Sequence, residues 1–490
     1  MKDKIDFAIS PRPVATIRLH GFPYDREVDG RRISCTDTLE LLAQSSDYEG
    51  RLRRNIGRYD KELQPLFSLG FHGLDGLVKS RKPLTYDQAF SLLAFVSLSS
   101  NRALKDILVS QVKGHEMYHD VNTLLLQSVS LLQSMSTREA IVGLQPQEVA
   151  GMIAATLELD TICRPGIASA DPIIGIGGMG GDKGVHVNGE VTKLFSVSTL
   201  SAIGLGSHGY VHKHHSYPNT SKVAGQSAIE AMGARSDFTT REQMQNVQRS
   251  SKILMSSCHT TRTIHTISHM LKGETINHVI GPGAVPHDEK DILSMFIGVN
   301  HNIHPATFIK ALRILAEKGV ARYTNSVAFC TVDNRKGVST HILSDDRFYQ
   351  DDDLKAAIVL DEVAPPPFVT LASFLIDGRV ETAFIHAADF DPDLHNLDFH
   401  SLAVPNSQDA ILEANEKVVR AEDPARVAYV AMSMALALFT RDFAQTKDAI
   451  LDDNARKYLL GQCYKRAHES IMNGELAKKL DNYVNATNNL

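Results

Sequence analysis

The stretch IGIGGMGGDKG, residues 174–184, holds six glycines in eleven residues and closes on Asp-Lys-Gly. Glycine forfeits packing and chain entropy, so a cluster of this kind needs a physical reason. One reading is a flexible surface turn. The other is a strand end, Pro172 to Ile176, running into a loop whose bare N–H groups cradle phosphate. The spacing is neither Gly-x-Gly-x-x-Gly behind a strand nor Gly-x-x-x-x-Gly-Lys-Ser/Thr, so neither common nucleotide fingerprint applies.

The residues downstream supply what a phosphate site needs. In KLFSVSTLSAIGLGSHGYVHKHHSYPNTSKVAGQSAIEAMGA (193–234), Ser198 and Thr199 are expected to end one strand and Lys213-His214 the next. Ser221 then stands at the mouth of a small-residue helix that ends at Gly233. Three such loops would bring N–H groups, hydroxyls and one lysine to a single crevice, the inventory for a sugar phosphate or diphosphate.

Around this region the texture alternates. After Asp171, short β-rich runs (KLFSVST, TINHVIG, SMFIGVN, SVAFCTV) are interleaved with helical patterns such as HPATFIKALRILAEKG, which predicts an α/β domain with a mainly parallel sheet. Residues 84–160 read as helical, with a Thr85-x-x-Gln88 capping box, a second box at Ser136-x-x-Glu139 and a Gln145-Pro146 start. The tail, 408–484, is helical again. Residues 1–80 read as an extension, with a strand in PVATIRLHGF and a helix in CTDTLELLAQ capped by threonine or aspartate. The expected division is 1–80 as the extension, 81–165 as a small helical domain joined by part of the later chain, and 166–490 as the α/β domain with C-terminal helices.

Composition narrows the function. The chain has 490 residues, 43% apolar and 22% charged, with a net charge of −6. That balance fits a globular protein and argues against broad nucleic-acid binding. Five scattered cysteines without Cys-x-x-Cys suit reduced thiols in a cytoplasmic setting and offer no zinc framework. The longest apolar run, VAMSMALALF from Val430, is about half a membrane span and reads as a core helix.

Taken in order, the motifs resemble those of anthranilate phosphoribosyltransferase and its superfamily, which includes the pyrimidine nucleoside phosphorylases. The family's Gly-Thr-Gly-Gly-Asp is matched by Gly178-Met179-Gly180-Gly181-Asp182, and its Ser-Thr by Ser198-Thr199. Its Lys-His run and serine-rich helix lie over Lys213 to Gly233, its Leu-Gly-Pro over Ile280-Gly281-Pro282, and its Asp-Glu metal pair over Asp361-Glu362. The match spans roughly 84–485, with insertions at 183–195 and near 333–358. It implies a small helical domain on a larger α/β domain across a hinged cleft, a homodimer, and phosphoribosyl diphosphate with Mg2+. It further implies diphosphate binding by Gly178, Gly180, Gly181, Asp182, Ser196, Ser198, Thr199, Lys213 and Ser221, and metal binding by Ser198, Asp361 and Glu362. Lys213 and His214 are the catalytic candidates. Magnesium's preference for oxygen ligands agrees with that metal set.

The departures bear on the acceptor. The family's asparagine before Ser-Thr is Ser196, its Asn-Arg after Lys-His is Ser216-Tyr217, and His278 replaces another asparagine. The arginine that meets the anthranilate carboxylate is Glu274, which turns attraction into repulsion. His214, Ser216, Glu274 and His278 are therefore the acceptor-side candidates, for a small nitrogenous acceptor other than anthranilate. The histidine-rich HGYVHKHH (208–215) and HTISH (265–269) read as histidines lining a polar cleft or capping strands rather than as a transition-metal site. The alternatives to a transferase are a phosphorylase, disfavoured by Asp361-Glu362, and a non-catalytic nucleic-acid-binding relative.

Overall fold

The computed structural model describes residues 14–20, 24–180, 185–187, 190–218, 222–273, 275–338, 340–343, 357, 360–444 and 447–490. The chain enters through an antiparallel meander of β1 (Ile17–His20), β2 (Asp25–Val28) and β3 (Arg31–Ile33). Ser34, rather than a threonine or aspartate, caps helix Cys35–Ser45 by accepting the Asp37 N–H. Helices Tyr48–Arg58 and Asp60–Lys79 carry Leu52, Leu63, Leu66 and Leu74, all fully buried, into one apolar cluster with Phe90, Phe95 and Ile153. Each such leucine contributes about 1.5–3 kcal/mol by leaving water. The residues before Ser80 thus share a core with the helices after them.

Thr85 and Gln88 form the expected reciprocal cap of helix Tyr86–Ser97, and Pro146 starts helix Pro146–Ala155. The second box is corrected. Helix Val121–Val142 runs straight through Ser136, whose hydroxyl donates back to the Leu132 carbonyl at 3.0 Å. That helix begins instead at Asp120, whose carboxylate accepts the Asn122 and Thr123 N–H groups.

Among the described residues the central sheet has eight strands: β4 (Ile173–Gly178), β7 (Val211–His215), β8 (Ile253–Ser257), β9 (Ile292–Gly298), β10 (Arg322–Tyr323), β11 (Ser326–Asp333), β12 (Phe368–Ile376) and β13 (Arg379–Ile385). The order is β13-β12-β11-β9-β4-β7-β8, with β10 beside β9. The ladders from β8 to β11 are parallel, and β11-β12-β13 closes the sheet antiparallel. A small sheet joins β5 (Val185–Val187), β6 (Glu190–Lys193) and β14 (Val404–Pro405). Helix Pro424–Asp442, which holds the VAMSMALALF run, is buried without interruption from Val427 to Thr440. Among the described residues, no helix is long and apolar enough to cross a membrane.

Two expected strands are helices. Ser198 and Thr199 lie in the first turn of helix Val197–Leu205, because the chain reverses at Phe195–Ser196, where the Val197 N–H reaches the Phe195 carbonyl at 2.8 Å. TINHVIG forms helix Asn277–Gly283, with Val279 and Ile280 buried in the helical cluster. In both, packing overrides the β-propensity of Val, Ile and Thr.

Candidate active site

An open α/β sheet binds ligands outside the carboxyl ends of its strands, where the strand order reverses. Here β4 is followed by β7 and β8 on one side, and the chain then returns to β9 on the other. The carboxyl ends of these strands open on a cavity of about 320 Å³, within the range for a small-molecule site. Gly178, Gly180, Ser196, Ser198, Thr199, Lys213, His214, Ser216, His278, Asp361 and Glu362 all line it. Residues as far apart in sequence as Gly178 and Glu362 are thus gathered at one place. Gly181, Asp182, Ser221 and Glu274 lie outside the described residues.

The glycine run has a steric explanation. A Cβ on Gly178 would stand 2.7 Å from Asp361 Oδ2, and one on Gly298, its register partner on β9, 1.8 Å from the Asp361 carbonyl oxygen. Bare backbone lets the Asp361-Glu362 segment lie directly on the strand ends. Gly180, at φ +63°, turns its N–H onto Asp361 Oδ2 at 2.9 Å. Replacing Gly298 with alanine is therefore expected to cost about 3 kcal/mol of stability through overpacking and to displace Asp361. Urea unfolding measures the cost, and a change within about 0.5 kcal/mol, as for a neutral surface substitution, would contradict this contact.

Lys213, only 4% exposed, donates from Nζ to Ser198 Oγ at 3.1 Å. Burial pushes its ammonium pKa down, while the charges of Glu362 and Asp361 push it up. The first turn of helix Val197–Leu205 opens on the same cavity, adding the positive end of a helix dipole. Ser196 keeps a defined place, because Asn415 accepts its N–H at 2.9 Å and donates to its hydroxyl at 3.1 Å.

Beside Lys213, the Ser256 hydroxyl lies 2.8 Å from His212 Nε2 and 3.1 Å from His214 Nδ1. Burial, reinforced by Lys213, lowers the His214 pKa to about 3, so the ring is neutral near pH 7. His278 Nε2 lies 3.4 Å from Glu139 Oε1. Tyr217 donates to the buried Glu230 at 2.9 Å, and Arg26 of β2 reaches the same carboxylate at 3.1 Å. Tyr24, just before β2, sets its ring edge-on to Tyr217, His259 and His269. The N-terminal meander therefore braces the wall of the site.

Sequence reasoning missed Asn415, Glu139, Ser256 and His259. Asn415 left a signal: a polar residue among Ile411, Ala414 and Val418 on the buried face of helix Gln408–Val419. The others left none, since their roles arise only when distant elements meet.

A mainly parallel sheet with helices packed on it is the fold of anthranilate phosphoribosyltransferase structures, and this chain shares that fold. The structure of that enzyme from Thermus thermophilus superposes with a TM-score of 0.55 at 15% identity, covering 85% of this chain and 99% of the other. The Saccharomyces cerevisiae enzyme in complex with PRPP and Mg gives 0.53 at 14% identity, over 89% and 99%. The same yeast enzyme in complex with 4-fluoroanthranilate gives 0.53 at 14%, over 89% and 99%. No protein-family model matches the sequence, and no curated protein does.

Proposed function

We propose that this protein transfers a phosphoribosyl group from phosphoribosyl diphosphate to a nitrogen of a small acceptor other than anthranilate. The observation that carries the reading is the convergence of Lys213 Nζ on Ser198 Oγ and of the Gly180 N–H on Asp361 Oδ2 at the rim of one cleft. A buried cation and a helix N-terminus supply the kind of charge stabilisation that a diphosphate leaving group needs.

The donor set fits magnesium: the carboxylates of Asp361 and Glu362 and the Ser198 hydroxyl are hard oxygen ligands within one cavity. When bound, the ion would neutralise charge on the departing diphosphate. The chain's own residues do the rest. Lys213 offers a fixed positive charge, Ser198 and Thr199 offer hydroxyl donors, and Asn415 holds Ser196 in place. Neutral His214, oriented by Ser256, presents an imidazole to the acceptor without adding charge. The acceptor class follows from Glu274, His278 and Ser216, which replace the family's carboxylate-binding and amide groups.

The direct test is thermal unfolding with phosphoribosyl diphosphate and Mg2+. A ligand that binds only the native state at a hundred times its Kd adds about 2.7 kcal/mol, so the midpoint is expected to rise by a few degrees and to fall back on chelation. No shift at saturating ligand and metal would remove the basis of the transferase reading.

A further inference from the structure

We infer that His259, His265 and His269 form a site for one divalent transition-metal cation of the zinc class, at the acceptor end of the cleft and separate from the Asp361-Glu362 oxygens. The three residues come from two adjoining elements. His259 follows β8, in the turn Cys258–Thr260, and His265 and His269 stand one helical turn apart on helix Arg262–Leu271. Their ring centroids are 5.1, 5.3 and 4.2 Å apart, and one ligand nitrogen from each lies within 4.8 Å of the others. Small side-chain rotations would draw three such nitrogens onto an ion at the usual Zn–N distance of about 2.0–2.1 Å.

Satisfaction of the ring nitrogens points the same way. All three rings are buried, with exposures of 1%, 7% and 5%. Among the described residues, neither nitrogen of His259, nor His265 Nε2, nor His269 Nδ1 has a hydrogen-bond partner. Buried polar groups are nearly always paired, so unmatched nitrogens on all three rings of one close cluster call for a shared partner. A cation that binds lone pairs satisfies them together. Burial keeps each imidazole in the neutral form that ligates metals.

The surroundings resemble those of a metal-bound histidine. His265 Nδ1 lies 2.9 Å from the side-chain amide nitrogen of Asn277, whose Oδ1 lacks a partner. Turning that amide over makes Oδ1 the acceptor of an Nδ1–H and leaves the Nε2 lone pair for the ion, the usual outer-shell arrangement. Oxygen ligands are absent from the triad, which disfavours magnesium and favours zinc, cobalt or nickel. Because His265 and His269 line the cleft, a fourth coordination position would face the cavity and be open to water or to a donor atom of a bound ligand.

The test uses the full chain, stripped of metal and titrated with Co2+ as a spectroscopic stand-in and with Zn2+ alone. One equivalent of Co2+ is expected to produce the intense visible absorption of a tetrahedral nitrogen-ligated site, and one equivalent of Zn2+ to bleach it. His265→Ala and His269→Gln should each weaken binding more than a hundredfold. Asn277→Ala should weaken it about 10–100-fold, the usual outer-shell effect, and His72→Gln, an exposed histidine outside the cleft lining, should leave it unchanged. A wild-type titration without a tetrahedral spectrum would overturn the inference even if a triad variant failed to fold. So would full-strength binding in a folded His265→Ala or His269→Gln protein. Neither readout depends on transferase activity.

Discussion

Asp361→Asn combined with Glu362→Gln is expected to weaken magnesium-dependent binding of phosphoribosyl diphosphate more than a hundredfold while leaving the fold intact. Asparagine can still accept the Gly180 N–H that Asp361 Oδ2 accepts at 2.9 Å, so the glycine turn keeps its tether. What disappears is charge. Two carboxylates that would hold the ion become neutral amides, and Lys213 loses the two charges that oppose its burial, so its ammonium becomes harder to keep. A hundredfold is about 2.7 kcal/mol, a modest demand for the loss of two charged ligands. Calorimetry with phosphoribosyl diphosphate and Mg2+ reads the effect, and circular dichroism checks the fold. Binding within threefold of wild type would move the metal pair elsewhere. The acidic runs Asp345-Asp346 and Asp351–Asp353, which lie outside the described residues, would then be the next candidates.

Legibility of the site in the sequence followed the range of the forces involved. The glycine run and the Lys213-His214 strand end were readable because each is a local pattern with a local physical meaning, whereas the Asp361-Glu362 pair stood out only through its order after the family's other motifs. Their arrival in one cavity depended on strand order, which no single pattern encodes. Ser198 and Thr199 were misassigned to a strand because Val and Thr carry β-propensity, while the reversal at Phe195–Ser196 is set by packing. The brace formed by Arg26, Tyr24 and Glu230 was invisible for another reason. An arginine in a short N-terminal strand looks like a solvated charge until it is found 3.1 Å from a carboxylate that is 2% exposed. Of the histidines expected to line a cleft, His214, His215, His265 and His269 do so while His212 packs beneath it against Ser256, and alternation and spacing could not reveal that His259 would join the HTISH pair.

Mild acid is expected to unfold the metal-free protein well before most carboxylates titrate. His212, His214, His215, His259, His265, His269 and His287 are all buried. Burial lowers each pKa from its ordinary value of 6.5: to about 3 for His214 and His287, to about 4 for His269, and well below 6.5 for the other four. Well above pH 6.5 these rings are neutral in both states and add no pH dependence. As pH falls through 6.5, only the unfolded chain takes up their protons, so stability is lost. Each group costs about 1.4 kcal/mol at one pH unit below 6.5. Glu148, Glu230 and Asp291 act in the opposite sense, because burial raises their pKa values and lets the folded state hold protons. They offset at most three of the seven histidine protons. His208, lowered to about 4, adds one proton in the histidines' sense, so the net uptake on unfolding is about five protons, worth about 7 kcal/mol at pH 5.5 against a typical total of about 5–15 kcal/mol. Urea titrations between pH 7.5 and 5.5 should show the unfolding free energy falling by about that amount, with structure lost cooperatively near pH 5. A urea midpoint that stays flat across this range would mean that these rings are already protonated, or reached by water, in the folded protein.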